Sequence, residues 1–290
     1  MTSGIKKISI NDKNYPLLLK KIKDAPRVIF YRGKILPKEN CLAVVGTRLC
    51  SVYGKNAAFE IAGALSRAGL TIVSGLAPGI DTASHKATIE QKGRTIAVLG
   101  TGLDERSIYP RDNIKLAEKI IETGGCLLSE YPPGTRGNKF TFPQRNRIIS
   151  GLSLGTLVIE AKQKSGALIT ANYAKEQKKP VFALPGPIHS PNSRGCHYLI
   201  KNGAKLIENA QDILEELNIN LKIPEEKEQT KGKSREECLI LEKLKTGPLD
   251  INEIIKKTGL PASVVAANLS ALEVEGRIRN LEGNTFALAC

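Results

Sequence analysis

The stretch from Asn138 to Thr170, NKFTFPQRNRIISGLSLGTLVIEAKQKSGALIT, decides the fold class and carries the densest chemistry of the chain. Its apolar run Thr156–Ile159 ends at Glu160 and is followed by a helical segment from about Ser165, the pattern of a buried parallel strand feeding a helix. Ahead of that strand lies a basic, aromatic loop in which Lys139, Phe140, Phe142, Arg145 and Arg147 fall within nine residues. Thr141 and Gln144 have the spacing of a capping box and Pro143 suits a first helical turn, so Arg145, Asn146 and Arg147 are expected in or near that turn. Free N–H groups and the positive end of the helix dipole attract anions there. Cations, two phenyl rings and a helix N-terminus together suit a phosphate backbone with a base stacked beside it. The competing reading is a solvated basic turn whose phenylalanines belong to the core.

Outward from this stretch the same alternation repeats. Short apolar runs occur at Leu42–Val45, Thr71–Val73, Thr95–Leu99, Cys126–Leu128, Val181–Leu184 and Lys205–Ile207. Segments of helical periodicity lie between most of them, such as Ala57, Ala58, Ile61, Ala62 and Leu65. The expected fold is α/β: a mostly parallel sheet with helices on both faces, over residues 41–219. Residues 1–40 read as a short lead-in, with a weakly amphipathic helix after Tyr15-Pro16 and an edge strand at Val28–Tyr31.

Ligands of such sheets bind at the carboxyl ends of the strands. The loops expected there are rich in glycine and hydroxyls: Gly46-Thr47-Arg48, the run from Ser74-Gly75 to Asp81, Gly100-Thr101-Gly102, Ser129–Gly134 and Ser165-Gly166. Glycine lets backbone N–H groups approach a phosphate, and serine or threonine adds a donor. The familiar nucleotide fingerprints are absent: Glu105 stands where a GxGxxG would need its third glycine, and Gly54-Lys55 lacks the spacing and the Ser/Thr of a GxxxxGK[ST] loop. Asp81 is expected to accept local N–H bonds and hold its turn, and His85 to serve the helix structurally.

The charge is uneven. Residues 1–222 hold 33 Lys/Arg against 18 Asp/Glu, whereas residues 223–290 hold 10 against 11. The larger part is therefore the candidate polyanion binder. Six cysteines without a CxxC and three histidines without i, i+4 pairing argue against metal or disulfide chemistry. No catalytic residue, metal ligand or cofactor is assigned. No apolar run reaches the ~20 residues of a membrane span and no secretory leader is evident, so a cytoplasmic location is expected.

Residues 220–235 are charged and turn-like and read as a linker. Residues 236–290 then give helices at Glu236–Leu244, Ile251–Lys257 and Pro261–Val274, followed by a hairpin from Ile278-Arg279-Asn280 to Thr285-Phe286-Ala287 through Glu282-Gly283-Asn284. That is the pattern of a winged helix-turn-helix. Its third helix lacks the Lys or Arg a DNA-reading helix uses, so a protein-contacting or structural module is expected.

Taken in order, VVGTR (Val44–Arg48), SGLAPGID (Ser74–Asp81), TIAVLGTGLD (Thr95–Asp104), SEYPPGT (Ser129–Thr135), KFTFPQRNRIISGLS (Lys139–Ser153), LVIEAKQKSGALIT (Leu157–Thr170) and FALPG (Phe182–Gly186) resemble the DNA-processing protein A family, DprA or Smf. The resemblance implies an extended Rossmann-like domain that binds single-stranded DNA, often as a homodimer, and hands the strand to the recombinase RecA in natural transformation. By motif, Arg48 matches the arginine of the family's phosphate pocket. Lys139 and Phe142 match the lysine and aromatic of its DNA-contacting loop, and Arg145 and Asn146 its RN pair. The expected DNA-binding set is thus Gly46, Thr47, Arg48, Ser74, Gly75, Lys139, Phe140, Phe142, Arg145, Asn146, Arg147, Ser165 and Gly166. This chain departs from the family at Pro78, where SGLARGID usually has arginine, and its N-terminal segment is shorter than the extra helical domain of some members.

A second reading comes from another class. GLSLGTLVIEA looks like the GGxGTxxE signature of phosphoribohydrolases, nucleotide-cleaving enzymes on a similar sheet. Gly155, Thr156 and Glu160 match, but Leu154 replaces the second glycine of the phosphate loop. The positive excess also suits a polymer better than a mononucleotide.

Overall fold

Strands β1 (Lys6–Ser9) and β2 (Val28–Gly33) open the chain, with the one-turn helix α1 (Leu17–Lys20) between them. The computed structural model describes residues 4–219, 221, 223, 234–244, 247–281 and 284–288. From β3 (Cys41–Val45) strand and helix alternate: α2 (Val52–Arg67), β4 (Thr71–Ser74), α3 (Ile80–Glu90), β5 (Thr95–Leu99), α4 (Ile114–Glu122), β6 (Cys126–Ser129), α5 (Thr141–Leu152) and β7 (Thr156–Val158). The series continues through α6 (Gly166–Glu176), β8 (Val181–Ala183), α7 (Arg194–Lys201), β9 (Lys205–Leu206) and α8 (Ala210–Glu216). One nine-stranded sheet holds these strands in the order β1-β2-β6-β5-β4-β3-β7-β8-β9. It is parallel from β6 to β9 and antiparallel at β1 and β2.

The unbroken apolar runs follow from burial on both faces. Cys41, Ala43 and Val45 of β3 join Val73, Val98 and Val158 on one face, under Ile148, Ile149 and Leu152 of α5 and Ala167 and Ala171 of α6. Leu42 and Val44 join Ile72 and Leu157 on the other, under Ala58, Ile61 and Leu65 of α2 and Ala83 and Ala87 of α3. Cutting a wholly buried side chain such as Leu65 back to alanine costs about 2–5 kcal/mol.

The start of the chain differs from expectation. The strand expected at an edge, Val28–Tyr31, lies inside the sheet, bonded to β6 on one side and β1 on the other. The segment expected as a lead-in is thus woven into the sheet, and the edge is β1, with Lys6 and Lys7 exposed.

By its contacts the chain divides into Met1–Ile223 and Pro224–Cys290. The division falls within the expected linker, 220–235, most of which lies outside the described residues. The second unit holds α9 (Arg235–Leu244), β10 (Leu249–Asp250), α10 (Ile251–Thr258), α11 (Ala262–Val274), β11 (Ile278–Leu281) and β12 (Thr285–Leu288). Asp250 caps α10, accepting from Asn252 N at 2.8 Å, and Gly259 ends it at φ +68°, a left-handed conformation that glycine adopts without strain. Leu241, Val265, Leu269, Leu272 and Phe286 form its core, while Ala262, Ser263, Ala266, Ala267 and Ser270 of α11 are exposed. The short β10, which pairs with β12, went unanticipated. Glu282 and Gly283, expected at the hairpin turn, lie outside the described residues.

Candidate functional site

β3 lies between β4 and β7, so three of the predicted loops meet at the carboxyl edge. They are tied backbone to backbone. Thr47 N donates to Glu160 O at 2.8 Å, and Ile80 N donates to Thr47 O at 3.3 Å. Gly46 sits at the junction, where a Cβ would stand 2.5 Å from the Ile80 side chain. Only a residue without a side chain fits there.

Beneath the loops is a buried polar floor. Asp81 opens α3 and accepts from Gly75 N at 3.0 Å and Ala77 N at 3.3 Å, which fixes the Ser74–Asp81 turn as expected. Burial pushes its carboxyl up, against the pull of the Arg145 guanidinium. Arg145 is 5% exposed. It donates to Gly75 O at 2.7 Å, to Val98 O and to Asn146 Oδ1. Burial lowers its pKa to about 10, with Asp81 acting in the opposite sense. Gly75 is glycine because a Cβ would stand 2.6 Å from that guanidinium. Ser74, wholly buried, donates to Val44 O at 2.7 Å. Ser74 and Gly75 therefore support the surface rather than form it.

The RNR run is spent on three separate ties. Arg145 reaches the ends of β4 and β5, Asn146 Nδ2 donates to Gly166 O at 3.1 Å, and Arg147 pairs with Glu130 at 2.6 Å. The expected capping box is not made. Phe140 is the N-cap residue without a side-chain cap, and Asn138 Oδ1 instead accepts from Phe140 N at 2.8 Å and Thr141 N at 3.1 Å. An Asn three residues ahead of Thr141 outcompetes it, and the Thr141 hydroxyl itself accepts from Asn138 N at 2.9 Å.

Above the floor opens a cleft of about 350 Å³ whose walls include Gly46, Thr47, Arg48, Phe142, Asn146 and Ser165. Arg145 and Gly166 also line it, with Lys162. Ser165 is the N-cap residue of α6; its Oγ is buried and has no partner among the described residues, and Ser165, Gly166 and Ala167 bring the start of the helix, with its first N–H groups, to the wall of the cleft. Arg48 is exposed, has no carboxylate partner among the described residues, and holds its guanidinium 5.8 Å from the Phe142 ring centroid. The Phe142 ring is itself half-buried: a Cβ on Gly100 would stand 2.9 Å from it, and one on Gly137 2.4 Å from its far edge. Phe140, 70% exposed with Lys139 Nζ 5.2 Å from its ring centroid, presents the more open ring, outside the cleft walls.

Sequence reasoning missed the other side of Arg48. Tyr109 packs on Phe142 with centroids 5.6 Å apart. Beside them a second cleft, of about 730 Å³, is rimmed by Arg48, Arg106, Arg111 and Arg136, all exposed. Asp104 in its wall is turned to the loops: burial raises its carboxyl, but bonds from Gly134 N at 2.6 Å and Ser107 Oγ at 2.9 Å outweigh that and hold it below the usual range. The available signal was the long β5–α4 connection, with arginines on both sides of Tyr109-Pro110. The two clefts together can seat several anionic oxygens beside planar rings.

Comparison with known proteins agrees with this architecture. The family model described as DNA recombination-mediator protein A matches residues 6–218, and the DprA winged helix domain matches residues 224–284. DNA processing protein DprA of Bacillus subtilis is 48% identical over 74% of this chain and 72% of its own length. Protein Smf of Escherichia coli is 40% identical over 97% of this chain and 77% of its own. The X-ray structure of DNA processing protein A from Streptococcus pneumoniae superposes with a TM-score of 0.68 at 46% identity, covering 74% of this chain and 75% of that one. The Helicobacter pylori protein, whose structure is described as giving insight into a unique single-stranded DNA binding mode, has a TM-score of 0.66 at 29% identity over 75% of this chain and 97% of that one. With two family models spanning the two units in register, the chain belongs to the DNA recombination-mediator protein A (DprA/Smf) family.

Proposed function

We propose that the carboxyl edge of the large unit binds single-stranded DNA without sequence preference and without chemical turnover. The observation that carries this reading is one cleft combining the open N-terminus of α6, the unpartnered Ser165 hydroxyl and an exposed Arg48 stacked on Phe142. Phosphates suit the first two and the guanidinium, while bases find the rings of Phe140 and Phe142. The expected contact set stands here in two roles. Gly46, Thr47, Arg48, Lys139, Phe140, Phe142, Ser165 and Gly166 face the strand, and Ser74, Gly75, Arg145, Asn146 and Arg147 hold them in place.

The enzyme reading needs Glu160 free above a nucleotide. Glu160 is 3% exposed and instead braces Ser51, the N-cap residue of α2: its Oε1 accepts from Ser51 Oγ at 2.6 Å and its Oε2 from Ser51 N at 2.9 Å and Asn192 Nδ2 at 3.4 Å. That geometry favours binding over hydrolysis. By family resemblance, the strand is protected and passed to the recombinase RecA by a homodimer during transformation or recombination in the cytoplasm. Among the described residues no helix is long and apolar enough to cross a membrane.

The test is binding of single- and double-stranded oligonucleotides across a salt series. With about four phosphates neutralised, log affinity for single strands should fall against log salt with a slope of about −3. Equal affinity for duplex, or cleavage of a mononucleotide by pure protein, would count against it. RecA filament formation on strands already bound by the protein tests the hand-over.

A further inference from the structure

The carboxyl edge does not stop at β6. β2 runs antiparallel to β6 with Phe30 opposite Ser129, and β1 antiparallel to β2 with Ser9 opposite Val28. The end of β1 and the start of β2 therefore rise to the same edge as Arg48 and the loops after β5 and β6. From Ser9, Asn11 and Arg27 at that edge a third cleft, of about 510 Å³, runs down the side of the sheet to Lys20 and Lys23 around the buried Ile22, which lies by Gly151 near the far end of α5. The three cations are exposed, and none has a carboxylate partner among the described residues. They belong to a wider excess, since residues 1–40 hold ten Lys/Arg against three Asp/Glu.

Spacing favours one ligand over several. β1 lies two strands beyond β6, roughly 10 Å at ordinary strand separation. Taken across the strands from β7 to β1, the order is the α6 cleft, Arg48 with Phe142, the rim of Arg106, Arg111 and Arg136, and then this cleft. A line of cations fits a linear polyanion better than a compact one. No aromatic ring lines the third cleft among the described residues, so it offers charge without a stacking surface.

We infer that the cleft of Lys20, Lys23 and Arg27 is a second phosphate-backbone contact for a nucleic-acid strand already held at the first site, an inference that rests on the function proposed above. It lengthens the footprint and steepens the salt dependence without reading bases.

The test uses the full chain and oligothymidylates of about 5 and about 16 nucleotides, bracketing the usual span of single-strand sites. Lys20→Ala, Lys23→Ala and Arg27→Ala are combined in one variant and compared with Arg48→Ala, after unfolding curves show both folded. The triple variant should bind the short strand like wild type. Its slope of log affinity against log salt on the long strand should be less steep by about 2, at about 0.7 per contact. Arg48→Ala should weaken both lengths. If the triple variant keeps the wild-type slope on the long strand while Arg48→Ala weakens both, the second contact is refuted and the proposed function stands. If Arg48→Ala binds both lengths like wild type, the underlying reading fails and this inference with it. Equal losses on both lengths would mark a general charge effect and overturn the inference. So would unchanged DNA binding together with lost binding of polyglutamate, which would place an acidic protein segment in the cleft.

Discussion

Replacing Arg48 by alanine should separate binding from stability. The side chain is exposed, has no ion-pair partner among the described residues, and meets its own protein chiefly through the Phe142 ring at 5.8 Å. Folding should therefore lose no more than an exposed cation–π contact, about 0.5–1 kcal/mol. Binding should lose a charge-assisted phosphate contact, about 1.5–3 kcal/mol or roughly 10–150-fold in affinity, and the salt slope should become less steep by about 0.7. Arg48→Lys should keep most of the slope but not the full affinity, because an ammonium neither stacks nor bonds bidentately. Arg145→Met should behave in the opposite way. It strands Asp81 in the floor without its cation and should cost about 3–5 kcal/mol of stability. The assay is fluorescence anisotropy with a labelled oligothymidylate at several salt concentrations, paired with urea unfolding of each variant. A folded Arg48→Ala protein with wild-type affinity and slope would refute the placement of the site.

Glu160→Ala should cost about 1–3 kcal/mol by leaving the donors of Ser51 without their acceptor and leave single-strand affinity unchanged; a mononucleotide hydrolysis that wild type performs and the variant loses would revive the enzyme reading. His85 is wholly buried, its Nδ1 2.7 Å from Thr95 Oγ1, whose proton goes to Ile72 O, while its Nε2 has no partner among the described residues. Burial, then the nearby Arg145, holds its pKa down to about 3, so the unfolded chain takes up a proton near 6.5 and the folded chain does not. Its contribution should be complete above about pH 6.5 and be lost as pH falls towards about 3; a urea midpoint as sensitive to acid in His85→Gln as in wild type would dismiss it. A chain ending near residue 223 should keep most of its single-strand affinity, and residues 234–290 alone should bind weakly, since the exposed face of α11 offers alanine and serine rather than cations. Equal affinity of the two pieces at matched salt would make the winged helix a DNA reader.

The parallel core was legible because strands buried on both faces leave unbroken apolar runs, as Thr95–Leu99 does. β1 was not. Lys-Lys-Ile-Ser is too short to show a period, and its charges mark an edge that becomes visible only once β2 is paired. Motif order brought Gly46, Thr47, Arg48, Phe142, Ser165 and Gly166 to one cleft, but nothing local separates an arginine facing solvent from one facing inward. Arg48 and Arg145 differ because Asp81, Gly75 and Val98, distant in sequence, converge on the second alone. The same limit hid Arg106, Arg111 and Arg136, which become neighbours only when the loops after β5 and β6 close on each other.

The antiparallel insertion of β2 has a consequence for how the chain comes off the ribosome. β2 is complete at Gly33, but the strand it bonds to begins at Cys126. At translation speeds of about 5–20 residues per second, a gap of roughly 90 residues leaves that side of β2 unpaired for roughly 5–20 seconds. Ile29, Phe30 and Tyr31 would be an inviting template for another nascent chain during the wait. The hairpin partner already made, β1, covers the opposite side and places Lys6 and Lys7 on the outer edge, where like charges repel a second copy. The lysines of β1 thus guard one side of the pair from the start, and the side of β2 that awaits β6 stays open until Cys126–Ser129 has been made.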